Sequence, residues 1–332
     1  MKTLVTGANG SIGRNLVQAL VARGDDVKVL VRENSNTICL DKYTVEFCHG
    51  DILDTASLNR ALENVDLVYH LAAIVPPRLW RVPNKIVWDI NYHGTRNLLE
   101  ACRQHELKKV IYASTVGVTG YIDHGRIDET SPYNPEGLYE KTKCEAEKIV
   151  LKYYKEYGVP TTIIRIPAVY GPGLVYGMVQ AFQAIQSRRF RFFGTGESLI
   201  HLIYMEDLIE VMLLIGMRDA ARGEIYIVGM KDPVTWKEYV TTIAEGLGVD
   251  PPRRHLPIWL AKTLGYCFET LLRGFYKDEP FLVRYRVDLL TNNSAFDVSK
   301  VKKELGFEAK MDLKEGIAHT IQWYRKEGYL SG

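Results

Sequence analysis

The chain has 332 residues, 46% of them hydrophobic, which suffices for one large α/β domain or a domain with a cap. Forty-two Lys and Arg against 40 Asp and Glu leave a formal net charge of +2. That balance gives no global positive field of the kind that holds a phosphate backbone, so it argues against a nucleic-acid partner. Charged residues at 25%, with 27 Gly and 13 Pro, fit neither a disordered nor a collagen-like chain.

Short β-branched runs alternate with amphipathic segments through the first half. Lys2–Thr6, Val27–Val31, Val45–Cys48, Leu67–Leu71, Val110–Ala113 and Thr161–Arg165 are expected as strands, and Ile12–Arg23, Ser57–Glu63, Lys85–Gln104 and Leu138–Tyr157 as helices. Apolar strands separated by helices predict a parallel sheet covered on both faces, the doubly wound α/β fold. After Arg165 the rhythm changes. Pro167, Gly171, Pro172, Gly173 and Gly177 punctuate a loop, and later strand candidates such as Glu224–Val228 are widely spaced. The expected organisation is a first domain over residues 1–170, with segments near 200–230 returning to it, and a smaller, mostly C-terminal region over 171–332.

The five cysteines, Cys39, Cys48, Cys102, Cys144 and Cys267, form no C-x-x-C pair and read as reduced thiols. The start resembles no secretory signal, and the longest uncharged stretch, Ile166–Ser187, carries prolines and glycines that suit no membrane span. The expected compartment is the cytoplasm. Between Pro251 and Pro280, residues such as Trp259, Leu264, Phe268, Leu272 and Tyr276 spread apolar character round most of a helical wheel. Such a helix must be covered. Burial against the main domain or a second subunit is one reading. A lid over an apolar substrate, or peripheral membrane contact near 256–281, is the other.

Thr6-Gly7-Ala8-Asn9-Gly10-Ser11-Ile12-Gly13 joins the first strand to the first helix. Glycines there allow a tight turn, let a pyrophosphate approach backbone N–H groups, and let the helix pack close to the strand. The helix N-terminus supplies partial positive charge to the anion. The set Gly7, Asn9, Gly10, Ser11, Ile12 and Gly13 is therefore expected to bind a dinucleotide, which makes 1–170 a dinucleotide-binding domain and 171–332 mainly a substrate-binding region. At the tip of the second strand, Arg32 favours the 2′-phosphate of NADP, while Glu33 beside it would serve NAD.

Tyr139 and Lys143 stand four apart, on one face of the helix from Leu138. A nearby ammonium stabilises tyrosinate, so the phenol is expected to exchange a proton near neutral pH. Thr115, at the end of the strand through Val110, would point its hydroxyl into the crevice at the carboxyl ends of the strands. A strand-end hydroxyl can also simply satisfy backbone groups. A phenol, a lysine and a hydroxyl around a nicotinamide make a site for hydride transfer at a carbon bearing oxygen.

With these residues in view, the chain resembles an extended short-chain dehydrogenase/reductase of the NAD-dependent epimerase/dehydratase superfamily. The likeness also rests on Gly50-Asp51-Ile52, His70-Leu71-Ala72-Ala73, Asn91-Tyr92-His93-Gly94-Thr95, Arg165-Ile166-Pro167-Ala168-Val169-Tyr170-Gly171 and the tail Asp297–Phe307. The resemblance implies that Tyr139 donates or accepts the proton, Thr115 bonds the reacting oxygen, and Lys143 tunes Tyr139 and holds the nicotinamide ribose. It implies further that Asp51 and Ile52 contact adenine, that Leu71, Ala72 and Ala73 line the cofactor, and that Pro167 and Val169 close over the nicotinamide. Asn91 lies on a helix beside the site; an internal helix hydrogen bond is its other reading. The family's usual homodimer would pack the helices near 85–104 and 138–157.

Within the superfamily the pattern is closest to the 3β-hydroxysteroid dehydrogenase and dihydroflavonol reductase branch. Relatives acting on nucleotide sugars hold a diphosphate with amide and guanidinium donors, but this chain has Ala168 and Ile200 at two such positions. The expectation is an NAD(P)-dependent oxidoreductase, with NADP favoured over NAD, interconverting a secondary alcohol and a ketone on a largely apolar small-molecule substrate. Arg188, Arg189, Arg191, Arg253, Arg254, Arg284 and Arg286 could still supply diphosphate contacts, so a nucleotide-sugar epimerase or dehydratase is the alternative. A non-catalytic dinucleotide sensor is a third reading. No metal site is expected.

Overall fold

The computed structural model describes residues 1–76, 82–122, 124–175, 177–271 and 282–331. The end of the apolar segment, 272–281, lies outside the described residues. The first half folds in the order β1 (Lys2–Thr6), α1 (Ser11–Arg23), β2 (Asp26–Val31), β3 (Glu46–His49), α2 (Thr55–Leu62), β4 (Leu67–His70), α3 (Asn84–Trp88), α4 (Thr95–Cys102), β5 (Lys109–Thr115), α5 (Leu138–Tyr157) and β6 (Thr161–Ile166). One departure from expectation stands out. The helix read as continuous over Lys85–Gln104 contains a π-helical turn, Asp89–Gly94, between α3 and α4.

Beyond β6 the strands are short: β7 (Ala168–Tyr170), β8 (Phe192–Phe193), β9 (Leu199–Ile200), β10 (Leu202–Tyr204), β11 (Ile225–Ile227), β12 (Val234–Thr235) and β13 (His255–Leu256). The helices there are α6 (Met178–Gln186), α7 (Met205–Met217), α8 (Trp236–Leu247), α9 (Ile258–Leu271), α10 (Arg284–Thr291), α11 (Ser299–Leu305) and α12 (Leu313–Lys326).

Seven strands pair in parallel in the order β11-β6-β5-β4-β1-β2-β3. Strands β1, β4, β5 and β6 are buried almost throughout because helices cover both faces. On one face α1, α7 and α11 pack Leu16, Leu20, Met212, Ile215 and Leu305 into one core. On the other, α2, α4 and α5 contribute Leu58, Leu62, Leu98, Leu99 and Val150. Each such side chain stabilises the fold by about 1.5–3 kcal/mol relative to exposure. A third core, around Phe182, Tyr239, Ile317 and Tyr324, joins α6, α8 and α12.

Chain order reverses between β1 and β4. A crevice opens at such a switch point, outside the carboxyl ends of the strands. The candidate site lies there.

Candidate active site

The glycine turn follows β1 directly. Gly7 adopts φ +72°, and a Cβ on it would sit 2.7 Å from the Ala72 backbone nitrogen. A Cβ on Gly13 would lie 2.2 Å from the Gly7 carbonyl oxygen, so α1 approaches the turn as closely as a side chain would forbid. Gly10 caps α1 in an extended conformation with no side-chain cap. The first helical bond runs from Arg14 N to Gly10 O, 3.0 Å, which leaves the amides of Ser11, Ile12 and Gly13 without an intrahelical acceptor. This cradle fits a dinucleotide phosphate: donors converge on it and no Cβ fills it.

A cavity of about 500 Å³ extends from the turn. Gly7, Asn9 and Gly10 form its floor; Arg32 and Ser35, Asp51 and Ile52, and the run Leu71–Ile74 form its walls. Ser11, Ile12 and Gly13 are not on its lining, so their contribution to the cradle is through the backbone. Beneath it, the buried His70 lies between Thr6 Oγ1 (2.7 Å from Nδ1) and Thr95 Oγ1 (2.9 Å from Nε2). Burial pushes the His70 pKa down to about 3, so the ring is neutral.

Asn91 departs from both of its sequence readings. It lines neither this cavity nor the next, and its amide makes no bond within its own helix. Its Oδ1 accepts from Ile74 N (2.7 Å), and its Nδ2 donates to Ile74 O (3.0 Å) and to Thr142 Oγ1 (3.0 Å). From the π-helical turn Asn91 thus ties the loop after β4 to α5. Sequence reasoning missed Ile74 and Thr142, whose partners are distant in the chain.

A second cavity, of about 580 Å³, adjoins the carboxyl ends of β5 and β6. Thr115, Tyr139 and Pro167 line it together, with Ala168 and Ile200 as apolar wall. Val169 lies instead in β7, paired with Ile203 of β10 and packed against the main core. Thr115 caps the turn that follows β5, accepting from Gly117 N at 3.2 Å, and its own O–H remains a donor.

The coupling expected between Tyr139 and Lys143 takes a different form here. Lys143 Nζ donates to Ala113 O (2.5 Å) and sits 4.0 Å from the centre of the Tyr112 ring. Burial pushes the Lys143 pKa down to about 7, against the opposing pull of Glu147. The Tyr139 phenol is pushed up, first by burial and then by Glu140 and Tyr285. The four-residue spacing sets a shared helix face, but the ammonium is directed at the strand backbone.

Carboxylates dominate the charged wall of this cavity. Glu136, Glu140, Glu269 and Asp288 line it, with Arg284 as the cation among the described residues. Asp288 is paired with Lys262 at 2.8 Å. The Glu140 side chain fits between two glycines: a Cβ on Gly137 would be 2.2 Å from its Oε2, and one on Gly117 would be 2.8 Å from its Cγ. Burial, then Glu136, holds the Glu140 carboxyl above the usual range. His201 also lines the cavity. Its Nδ1 accepts from Phe296 N (3.1 Å), and its Nε2 is 2.7 Å from Met230 O, which fixes a neutral tautomer. Arg165 faces away, in a buried pair with Glu147 (2.9 Å) that Tyr133 completes.

Comparison with known proteins extends these observations. The profile of the NAD dependent epimerase/dehydratase family matches residues 3–229. Sterol demethylase protein B of Methylococcus capsulatus is 31% identical, covering 99% of this chain and all of its own length. 3beta-hydroxysteroid-dehydrogenase/decarboxylase isoform 1 of Arabidopsis thaliana is 28% identical, over 96% of this chain and 78% of its own. Among solved structures, gox2253 superposes with a TM-score of 0.84 at 28% identity over 99% of both chains. DesIV, a dTDP-glucose 4,6-dehydratase from Streptomyces venezuelae with NAD and TYD bound, superposes with a TM-score of 0.80 at 25% identity, over 98% of this chain and 97% of its own.

Proposed function

Because the chain belongs to the NAD-dependent epimerase/dehydratase family, we propose that it interconverts a secondary alcohol and a ketone on a largely apolar substrate. The observation that carries this reading is the wall of the second cavity. Ala168 and Ile200 offer no donor to a diphosphate, and Glu136, Glu140 and Glu269 stand against Arg284, while Asp288 is paired with Lys262. A phosphate-bearing substrate would meet repulsion and lose its solvation there, whereas a neutral ring or chain would not. The sterol-related names of two relatives agree with this chemistry.

The residues then divide the work. The dinucleotide, when bound in the first cavity, supplies or accepts hydride. Gly7, Gly10 and the free amides of Ser11, Ile12 and Gly13 hold its phosphates, Asp51 and Ile52 its adenine, and Leu71–Ala73 its backbone. Arg32 selects NADP by pairing with a 2′-phosphate. Tyr139 gives its phenolic proton to the carbonyl oxygen in reduction and takes one from the alcohol in oxidation. Thr115 donates its O–H to the same oxygen. Pro167 bounds the reacting end of the cavity. Lys143, its Nζ held on Ala113 O and its pKa lowered by burial, would hold the nicotinamide ribose and act on Tyr139 only if its head group turned towards the phenol.

Two measurements test this. Ratios of dissociation constants for NADP and NAD are expected to favour NADP, and Arg32→Ala to remove the preference; an NAD preference that survives the substitution overturns the assignment. Thermal-shift and turnover screens are expected to find ligands among steroids, flavonols and long-chain ketones and none among UDP-sugars. Arg284 on the cavity wall favours the second reading, a nucleotide-sugar epimerase or dehydratase. That reading predicts tightly retained NAD and a UDP-sugar shift.

A further inference from the structure

We propose that the two loops flanking β8 and β13, with the N-terminal half of α9, form a surface that docks on an anionic lipid bilayer. Parallel pairing of Phe192 with His255 and of Phe193 with Leu256 holds the loops side by side. Arg188 reaches across to Asp250 at 3.2 Å. Over 187–191 and 250–255 the chain carries five arginines, Arg188, Arg189, Arg191, Arg253 and Arg254, all exposed, against the single carboxylate of Asp250. This concentration of positive charge stands out in a molecule whose overall balance is near zero.

Apolar groups follow at the other end of the paired strands. A Cβ on Gly194 would touch Ile258 Cδ1 at 3.0 Å, so the start of α9 packs on the turn after β8, one two-residue strand away from the arginine loops. Trp259 is 70% exposed and Tyr266, two turns on, 54%; Ile258 and Leu264 are exposed as well. Opposite this face, Ala261 is fully buried, and a Cβ on Gly265 would lie 3.0 Å from Arg284 N. The helix is thus seated on α10 by small residues and turns Trp259 and Tyr266 outward on one face, with Lys262 and Thr263 exposed beside them.

Arginines beside exposed aromatic and aliphatic side chains match the interface of a bilayer. Headgroup phosphates attract the guanidinium groups, while indole and aliphatic side chains sink to the level of the acyl chains. A nucleic acid would engage the arginines but leave Ile258 and Leu264 unused. Among the described residues no helix is long and apolar enough to cross a membrane, so the contact is peripheral. The same helix pair lends Glu269, Arg284 and Asp288 to the second cavity. Docking therefore brings the cavity wall to the layer in which an apolar substrate dissolves. That last link rests on the proposed function; the docking itself does not.

The test is co-sedimentation of the full chain with vesicles of phosphatidylcholine alone or of phosphatidylcholine with phosphatidylserine. The expected result is binding to the mixed vesicles, weakened by salt. Arg253→Glu with Arg254→Glu, and separately Trp259→Ser, are each expected to weaken it by about tenfold or more. Both variants are expected to keep the wild-type melting temperature and dinucleotide affinity, because these side chains are exposed and distant from the glycine turn. Absence of binding to either vesicle, binding undiminished in both folded variants, or retention by duplex DNA in place of vesicles would overturn the proposal. Vesicle binding without turnover of apolar ketones would leave the docking standing and overturn the substrate reading instead.

Discussion

At Tyr139 and Lys143 the proton-bearing groups are set apart, the ammonium being directed at Ala113 O and not at the phenol. Burial raises the phenol and lowers the ammonium, and the lysine spends its hydrogen bond on Ala113. The lysine has a consequence for stability. Its folded pKa, about 7, lies below the ordinary 10.5, so between those values the unfolded chain binds the extra proton. Stability from this group therefore rises with pH across that window, and its cost is fully present below about 7. Replacing it with Met is expected to stabilise the unliganded protein at neutral pH, by an amount that shrinks as pH approaches about 10. Urea melts of both proteins across that range check this; a gain independent of pH would contradict it. Glu140 acts on the phenol with the opposite sign to a lysine. Glu140→Gln is thus expected to lower the phenol pKa and move the rising limb of alcohol oxidation to lower pH, which a pH–rate profile would reveal. Spacing in the sequence made the residue types of this site legible. It could not reveal the direction of the Lys143 head group, nor the bonds from Asn91 to Ile74 and Thr142, because both depend on contacts across 17 to 51 positions of chain.

Among the elements, the glycine turn is the tightest piece of construction. The 2.2 Å approach of a Cβ on Gly13 to the Gly7 carbonyl means that alanine there forces α1 off β1. Gly13→Ala is expected to cost about 1–3 kcal/mol of stability and to weaken dinucleotide binding, read by chemical denaturation and by titration calorimetry. The strands and helices of the first half were legible because their apolar runs are long and buried on both faces. The π-helical turn was not, since Asp89–Gly94 spans only six residues, too few to display a period of its own. Nor were β8, β9, β12 and β13, each two residues long and too short to display a period of two.

Across the whole molecule, near-zero net charge conceals a division of labour. The first cavity is lined by the glycine turn and Arg32, the second collects carboxylates, and five arginines cluster in the loops that precede β8 and β13. Composition alone could not separate these regions, because opposite charges cancel in the sum. The homodimer implied by family resemblance, through α3–α4 and α5, is a further proposal. Light scattering at micromolar concentration is expected to give twice the 37.8 kDa chain mass, and a monomer would contradict it. The central claim is that Tyr139 passes a proton to and from an apolar substrate carbonyl. Its most direct test is NADPH consumption with a steroid or long-chain ketone, in wild type and in Tyr139→Phe. A fall of about 100- to 10,000-fold in the variant, at unchanged NADPH affinity, is the predicted result. Turnover unchanged in Tyr139→Phe would contradict the account.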